Sequence, residues 1–402
     1  MPLPQRGGPL AGVRVLEITK VWAGPYAGKI LAHLGAEVIK VESRSNIDEM
    51  RAYGGVDMNA APYFLSINQE ILSVQVNMKT EEGLDLVKQM VAQSDIVIDN
   101  IRPGAMERST LGYEDLRKIR PDIIQVSIKM WGNEGPLGYQ TGYAPCFASL
   151  SGLTALVGHE GETPKGMNIR YGDSTAGAAA ALAAIAALHH RERTGEGQFV
   201  DLSAVETMTS LVGDSLFAYS VTGEVPESDG NYHPDMAPHG AYPCAGTDWI
   251  SIAVADDTEW QALCEAMGAD ALAADPGFAT PALRVANRRA LDAQLAGLTA
   301  GQDAAGLADR LRKAGVPAFK SMSSIDLCSD EYLWNRQGFR MVDHPHNGPR
   351  PIIGPSWRMT PDMARVERGA PALGEHNDYV YREILGLPQE RLDDLIARKV
   401  ID

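Results

Sequence analysis

Apolar and polar positions change period several times along the chain. Residues 13–18 (VRVLEI) form a short strand pattern, followed by the breaker Ala23-Gly24-Pro25. Residues 26–34 read as a helix closing at Gly35, and residues 37–41 (EVIKV) as a second strand. The pattern then repeats. Residues 72–77 alternate as a strand and 81–93 read as a helix. Residues 95–98, 122–128 and 198–202 read as further strands. Strands alternating with helices at this spacing predict an α/β domain, a Rossmann-like open parallel sheet with right-handed crossovers. Ligands of such sheets lie beyond the carboxyl ends of the strands. Segments 21–25, 100–104 and 129–136 all follow strands, so they are placed to line one cleft. The first turn lacks G-x-G-x-x-G, so the sheet carries no dinucleotide fingerprint.

The stretch Asn168-Ile-Arg-Tyr-Gly-Asp173-Ser-Thr-Ala-Gly177 delivers one carboxylate and then enters an Ala-rich helix over 178–188. Asp173 has two readings. It is an N-cap, accepting from orphan N–H groups, or it is a nucleophile that carries an acyl or thiol group covalently. Further on, 203–221 reads as one long helix and 222–243 as a linker dense in Gly, Pro, His and Asp. Three parts follow: a large domain over 1–227, a small α/β domain over 228–325, and a return over 326–402.

Composition narrows the function. The chain has 402 residues, too many for one ordinary core, and a formal net charge of −16. That charge argues against nucleic acid and against anionic membrane surfaces as partners. Four cysteines lie scattered without C-x-x-C spacing, so no metal site or disulfide framework is expected, and a cytoplasmic location fits. The N-terminal residues 1–8 show no apolar signal core, and the apolar run 176–188 is too short to span a bilayer.

An ordered set of motifs runs along nearly the whole chain. It comprises Leu10-Ala-Gly-Val-Arg-Val-Leu-Glu17, Ala23-Gly-Pro25, Leu34-Gly-Ala-Glu-Val-Ile-Lys-Val-Glu42, Asp99-Asn-Ile-Arg-Pro-Gly-Ala-Met-Glu-Arg108 and Leu111-Gly-Tyr-Glu-Asp-Leu116. It continues through Gly142-Tyr143, Gly172-Asp-Ser174, Arg193-Thr-Gly-Glu-Gly-Gln198, Ala314-Gly-Val-Pro317 and Leu373-Gly-Glu-His376. In this the chain resembles the family III CoA-transferases, the formyl-CoA transferase and carnitine CoA-transferase group. The loop Lys129-Met-Trp-Gly-Asn133 resembles the two-subunit benzylsuccinate branch.

The resemblance implies two ring-shaped subunits interlocked as a dimer, or a heteromer with a homologous subunit. It implies transfer of CoA from an acyl-CoA to a carboxylic acid through mixed anhydrides and an aspartyl-CoA thioester at Asp173. Coenzyme A enters as substrate, with no metal. By position, the resemblance assigns CoA contacts to Trp22, Arg44, Asn100, Arg102, Arg108 and Lys129. Of these, Lys129 also stands on residue chemistry, because it leaves the apolar stretch 123–128 for a loop. Arg102 and Arg108 equally read as solvated surface charges, Asn100 as a turn closer and Trp22 as core. His233 and His239 are candidates to reach the acyl pocket. Three departures stand out. Relatives carry a Lys-Arg-Ser run near the CoA phosphates where this chain has Ile71, Leu72 and Ser73 beside Glu70, Ser43 displaces a basic residue to Arg44, and Ala255-Asp-Asp-Thr258 replaces a glycine-rich flap. The alternatives are an acyl-CoA racemase or isomerase, and a subunit of a heteromer that binds CoA poorly.

Overall fold

A computed structural model of the chain describes residues 6–54, 57–167, 170–344 and 348–402. Asn168 and Ile169 of the Asp173 stretch, and residues 1–5 of the N-terminal segment, lie outside the described residues. The chain divides into two compact units, one of residues 1–155, 166–226 and 331–402, the other of 156–165 and 227–330.

The first unit is built on six parallel strands, β1 (Arg14–Ile18), β2 (Glu37–Glu42), β3 (Leu72–Gln75), β4 (Ile96–Asp99), β5 (Ile124–Lys129) and β6 (Phe199–Ser203), in the order β3-β2-β1-β4-β5-β6. The order reverses between β1 and β4, so the crevice at the switch point opens between the loops that follow these two strands. β1, β4 and β5 are covered on both faces, as a parallel sheet requires, although Gln125, Ser127 and Lys129 make one face of β5 polar. One face packs on helices Ala23–His33 and Arg170–Thr194 through Ala27, Leu31, Ala176, Ala180 and Ala184. The other is closed by Leu86 and Met90 and by Val380, Tyr381, Leu392 and Ile401 from the far end of the chain.

The Arg170–Thr194 helix is the longest in the chain, and its small residues let backbones approach closely. A Cβ on Gly177 would stand 2.5 Å from the Ala23 carbonyl oxygen and 3.1 Å from the Cβ of Tyr26. The helix ends where Gly195 takes φ = +76°, the left-handed stop that glycine adopts without strain. Gly177→Val should therefore cost about 1–3 kcal/mol by overpacking. The drop would be read in the urea midpoint, with exposed Ala178→Val as an unaffected control.

Two buried anchors bring the C-terminal return onto the sheet. Glu70, with no exposed surface, accepts from the Arg368 N–H at 2.6 Å, pairs with Arg368 Nε at 3.1 Å and with Arg6 at 3.0 Å. Arg51, 1% exposed, donates to both oxygens of Glu42 at 2.8 and 2.7 Å and to the Pro371 carbonyl at 3.3 Å. Its guanidinium lies 3.6 Å over the Phe64 ring. These contacts account for the departure at residues 70–73. Ile71 and Leu72 are core residues at 1% and 0% exposure, so the charges expected there face no solvent in this chain.

The second unit holds three antiparallel strands, β7 (His239–Pro243), β8 (Trp249–Ala253) and β9 (Ala318–Lys320), over helices Asp257–Met267, Arg288–Thr299 and Ala304–Lys313. Its core is Tyr242, Ile250, Ile252, Trp260, Leu263, Leu291, Leu295 and Leu307. β7 lies inside the stretch read as a linker. Its Gly and Pro residues mask a strand that forms because β8 offers it an antiparallel partner. The helix read over 203–221 is broken into Ala204–Thr209, a 3-10 turn Ser210–Val212 and Gly213–Thr222, with the second break at glycine, a weak helix former. β10 (Phe339–His344) and β11 (Gly348–Ile353) form a separate hairpin in the first unit. In the C-terminal region Tyr379–Ile384 is π-helical, and a further helix runs over Gln389–Ala397.

Candidate active site

The loop after β1 is fixed at three points. Asn100, beyond β4, accepts from the Lys20 N–H at 2.8 Å and donates to the Lys20 carbonyl at 2.7 Å. Asp48 accepts from the Val21 N–H at 2.9 Å. Asp48 also pairs with fully buried Lys40 at 3.1 Å, and Lys40 donates to the Thr19 carbonyl at 2.9 Å. These anchors hold Val21 at φ = +65°, a left-handed conformation costly for a β-branched residue. The strained turn aims Trp22, whose indole N–H donates to Ser174 Oγ at 3.0 Å.

Ser174 sits beside Asp173, in the first turn of Arg170–Thr194. Asp173 is thus a helical residue, and the N-cap reading of it does not hold. Among the described residues its carboxylate accepts no hydrogen bond and pairs with no cation. Burial alone pushes its pKa up to about 7 from an ordinary 3.8. The orphan N–H groups and dipole of the helix N-terminus favour negative charge there, but not enough to offset desolvation.

An aromatic bed lies alongside. The Trp22 and Tyr63 rings meet edge to face at 6.4 Å, as do Tyr53 and Tyr63 at 6.0 Å. The Arg170 guanidinium covers Tyr63 at 4.7 Å and Trp22 at 5.6 Å. The sequence reading gave Arg170, Tyr53, Tyr63 and Ser174 no role. The spacing of Arg170 and Asp173 by three residues becomes a signal only once both are known to be helical.

The remaining candidates divide by environment. Arg44, in the short turn after β2, and Arg102 and Arg108, in the segment after β4, are exposed at the carboxyl edge of strands that flank β1 on either side. Arg108 also reaches the Pro103 carbonyl at 3.5 Å. Asn100 is engaged at both ends of its amide by Lys20, the turn-closing role. Lys129 is the last residue of β5 and is buried against Asp99, to which Gln125 also donates at 3.1 Å. Its ammonium is committed to that carboxylate rather than emerging into the loop.

His233 and His239 belong to the second unit, rings 5.4 Å apart. His239 lines a cavity of about 530 Å³ there, with Tyr232, Tyr242, Arg289 and Asp292. Ala255-Asp-Asp-Thr258 starts a helix, Asp256 capping it by accepting from the Glu259 N–H at 2.9 Å. Among the described residues no cluster of three His, Cys, Asp or Glu side chains is arranged to hold a metal, and no helix is long and apolar enough to cross a membrane.

At the switch point of a doubly wound sheet, the loop after β1 is tied through Trp22 to Ser174, beside Asp173, whose carboxylate has no partner among the described residues. The comparisons give the particular family. The model for CoA-transferase family III matches residues 10–377. A succinyl-CoA–D-citramalate CoA-transferase of Chloroflexus aurantiacus is 35% identical over 396 residues, 98% of each chain. A succinyl-CoA:mesaconate CoA-transferase of Haloarcula marismortui is 34% identical, covering 92% of this chain and 94% of that one. A solved CAIB/BAIF family protein from Brucella suis superposes with a TM-score of 0.88 at 32% identity, over 94% of this chain and 100% of that one. The chain belongs to family III of the CoA-transferases and is an enzyme that moves CoA between an acyl-CoA and a carboxylate.

Proposed function

We propose that Asp173 carries CoA covalently, and that the acids exchanged are short dicarboxylates with succinyl-CoA as donor. An Asp173 oxygen attacks the thioester carbonyl. The C–S bond breaks, leaving an acyl-aspartyl anhydride and CoA thiolate. The thiolate then attacks the aspartyl carbonyl, releasing the donor acid and leaving an aspartyl-CoA thioester. The acceptor carboxylate attacks that thioester, and the returning thiolate collapses the second anhydride to the new acyl-CoA. No net proton is consumed. The observation that carries this reading is the half-buried Asp173, whose carboxylate has no hydrogen bond or cation among the described residues to blunt it. Shielding also protects the anhydrides and the thioester from water. The substrate class rests on the two relatives, whose names pair succinyl-CoA with citramalate or mesaconate.

Arg44, Arg102 and Arg108 supply exposed positive charge for the CoA phosphates, and Trp22 supplies apolar wall. Asn100 and Lys129 act behind them, setting the two loops. The chain interlocks with a second copy of itself. Helix Gly213–Thr222 supports this, since none of its residues is buried and Phe217 and Val221 are each 71% exposed. Replacing both by Glu should remove roughly 3–5 kcal/mol of apolar burial from the assembly. In analytical ultracentrifugation a dimer should then give way to smaller species; a variant that stays dimeric excludes this helix from the interface, and a chain that assembles only with a homologous subunit makes the enzyme a heteromer. Four free cysteines support a reducing, cytoplasmic setting.

The deciding experiment is mass spectrometry of the Asp173 peptide after incubation with succinyl-CoA and trapping with hydroxylamine. A hydroxamate at Asp173 is expected. A folded protein that remains unmodified has no covalent route. A carboxyl group titrating near neutrality also suits proton transfer. Exchange of the substrate α-hydrogen in deuterated water without an acceptor acid would mark that racemase or isomerase chemistry.

A further inference from the structure

We propose that buried Asp48 is a positioning residue for CoA transfer. It holds the turn after β1 so that Trp22 keeps the helix of Asp173 in register with the loops that take the CoA phosphates. This deepens the reading of Asp173 as the reacting carboxylate and rests on it. Three consecutive residues of the turn reach three parts of the site. The backbone of Lys20 is bound at both ends to the Asn100 amide, which opens the segment carrying Arg102 and Arg108. The Lys20 ammonium donates to Asn46 Oδ1 at 2.6 Å and to the Ile47 carbonyl at 3.0 Å, in the turn that carries Arg44. Trp22 donates to Ser174 Oγ at 3.0 Å, one residue along the helix from Asp173. Val21 lies between them.

Val21 is where this strap is weakest. Its φ of +65° crowds a branched Cβ, so the turn relaxes toward an ordinary conformation unless something holds it. Asp48 supplies the hold. One of its oxygens accepts from the Val21 N–H at 2.9 Å and from the Met50 N–H at 3.0 Å. The other pairs with Lys40 at 3.1 Å, and neither side chain has exposed surface. Lys40 in turn donates to the Thr19 carbonyl at 2.9 Å and to Thr19 Oγ1 at 3.2 Å, two residues before Val21. Met50 belongs to the small apolar cluster against which Val21 and Trp22 pack.

The arrangement serves alignment rather than binding. Asp48 and Lys40 are buried and meet no substrate, so their influence runs through the turn they hold. Burial opposes the charge on Lys40, but Asp48, Glu17 and Glu42 around it override burial and raise its pKa, which keeps the pair ionised. Relaxation at Val21 would draw Trp22 off Ser174 and uncouple the start of the helix from Lys20. The anchors on Asn100 would remain, and with them the capture of CoA. What is lost is the alignment of the thioester with Asp173, and a misplacement of about 1 Å can cost roughly 100-fold in rate.

The test measures kcat and KM for exchange between succinyl-CoA and isotope-labelled succinate, well below the unfolding midpoint of each variant. Asp48→Ala should lower kcat about 10–100-fold and leave KM for succinyl-CoA within about two-fold. Adding Val21→Gly should restore part of kcat, because glycine takes this φ without help from the carboxylate. In a Trp22→Phe background Asp48→Ala should cost little more, since the two residues act along one path. An unchanged kcat, a rise in KM alone, no recovery with glycine, or losses that multiply in the double variant would each overturn the proposal. If Asp48→Ala does not fold, Asp48→Asn with Lys40→Met removes both buried charges and keeps an acceptor for Val21. In that variant kcat should hold within about three-fold, and a fall of about 10-fold or more assigns the effect to the ion pair and overturns the proposal. Exchange is read directly, so a missing adduct at Asp173 counts against the covalent reading alone.

Discussion

Asp173→Asn is expected to abolish CoA transfer while making the folded chain more stable at alkaline pH. An amide cannot form the anhydride, so turnover should fall by roughly 10³-fold or more, with only binding and orientation left. The stability effect follows from the sign of the shift. Burial raises the folded-state pKa of Asp173 from 3.8 to about 7, so the folded chain keeps this proton to higher pH than the unfolded chain does. Stability therefore falls as pH rises through that window, and the cost is complete above about pH 7. Three pKa units set a ceiling of about 4 kcal/mol, and residual solvent contact brings the expected cost to about 2 kcal/mol. Asparagine avoids it. Urea unfolding should show the variant ahead at pH 8, with the gap closing as pH falls toward 4. Loss of activity together with loss of stability at pH 8 would instead identify Asp173 as a structural residue. The same ionisation predicts that reaction of the free enzyme with the donor thioester rises with pH through about 7.

Arg51→Ala should destabilise the first unit by about 3–5 kcal/mol, the cost of stranding a buried charge. Its partner Glu42 is buried and also accepts from Ser73 Oγ at 3.2 Å, while Ser73 Oγ accepts from the Gly374 N–H at 3.0 Å. Burial pulls the Glu42 carboxyl upward, but the Arg51 fork overrides it and holds the group below its ordinary range. The pair thus contributes above the ordinary glutamate pKa and is lost as pH falls through the folded value. Arg51→Ala should consequently lose more at pH 7 than at acid pH. Measured by thermal unfolding, an unchanged midpoint at pH 7 would mean that the return segment is anchored elsewhere, with Glu70 the next candidate.

The parallel sheet was legible because its strands are nearly all apolar and punctuated by Gly and Pro. Residues 95–98 and 122–128 admit few other readings. β7 was not legible, since His239-Gly-Ala-Tyr-Pro243 owes its strand to the neighbouring β8 rather than to its own pattern. At the site, Asp173 was visible as a lone carboxylate between glycine and a small-residue helix. Its helical position was not, because the start of that helix carries no periodic signal. Lys129 shows a second limit. A lysine at the end of an apolar strand reads as emerging into solvent, but Asp99 ends the adjacent strand and captures it, and only strand order reveals that neighbour. Ile71 and Leu72 show the converse, as an apparent loss of phosphate-binding charge that is an interior strand end.

The order in which the chain leaves the ribosome has a consequence of its own. All six parallel strands exist once Ser203 has emerged, yet the face that Leu86 and Met90 cover in part is completed by Val380, Tyr381, Leu392 and Ile401. At about 5–20 residues per second, the interval between them lasts roughly 10–40 s. During that time a nascent subunit presents a complete sheet with one apolar side only partly covered. Synthesis of neighbouring copies on one message would place a second chain within reach in just that interval.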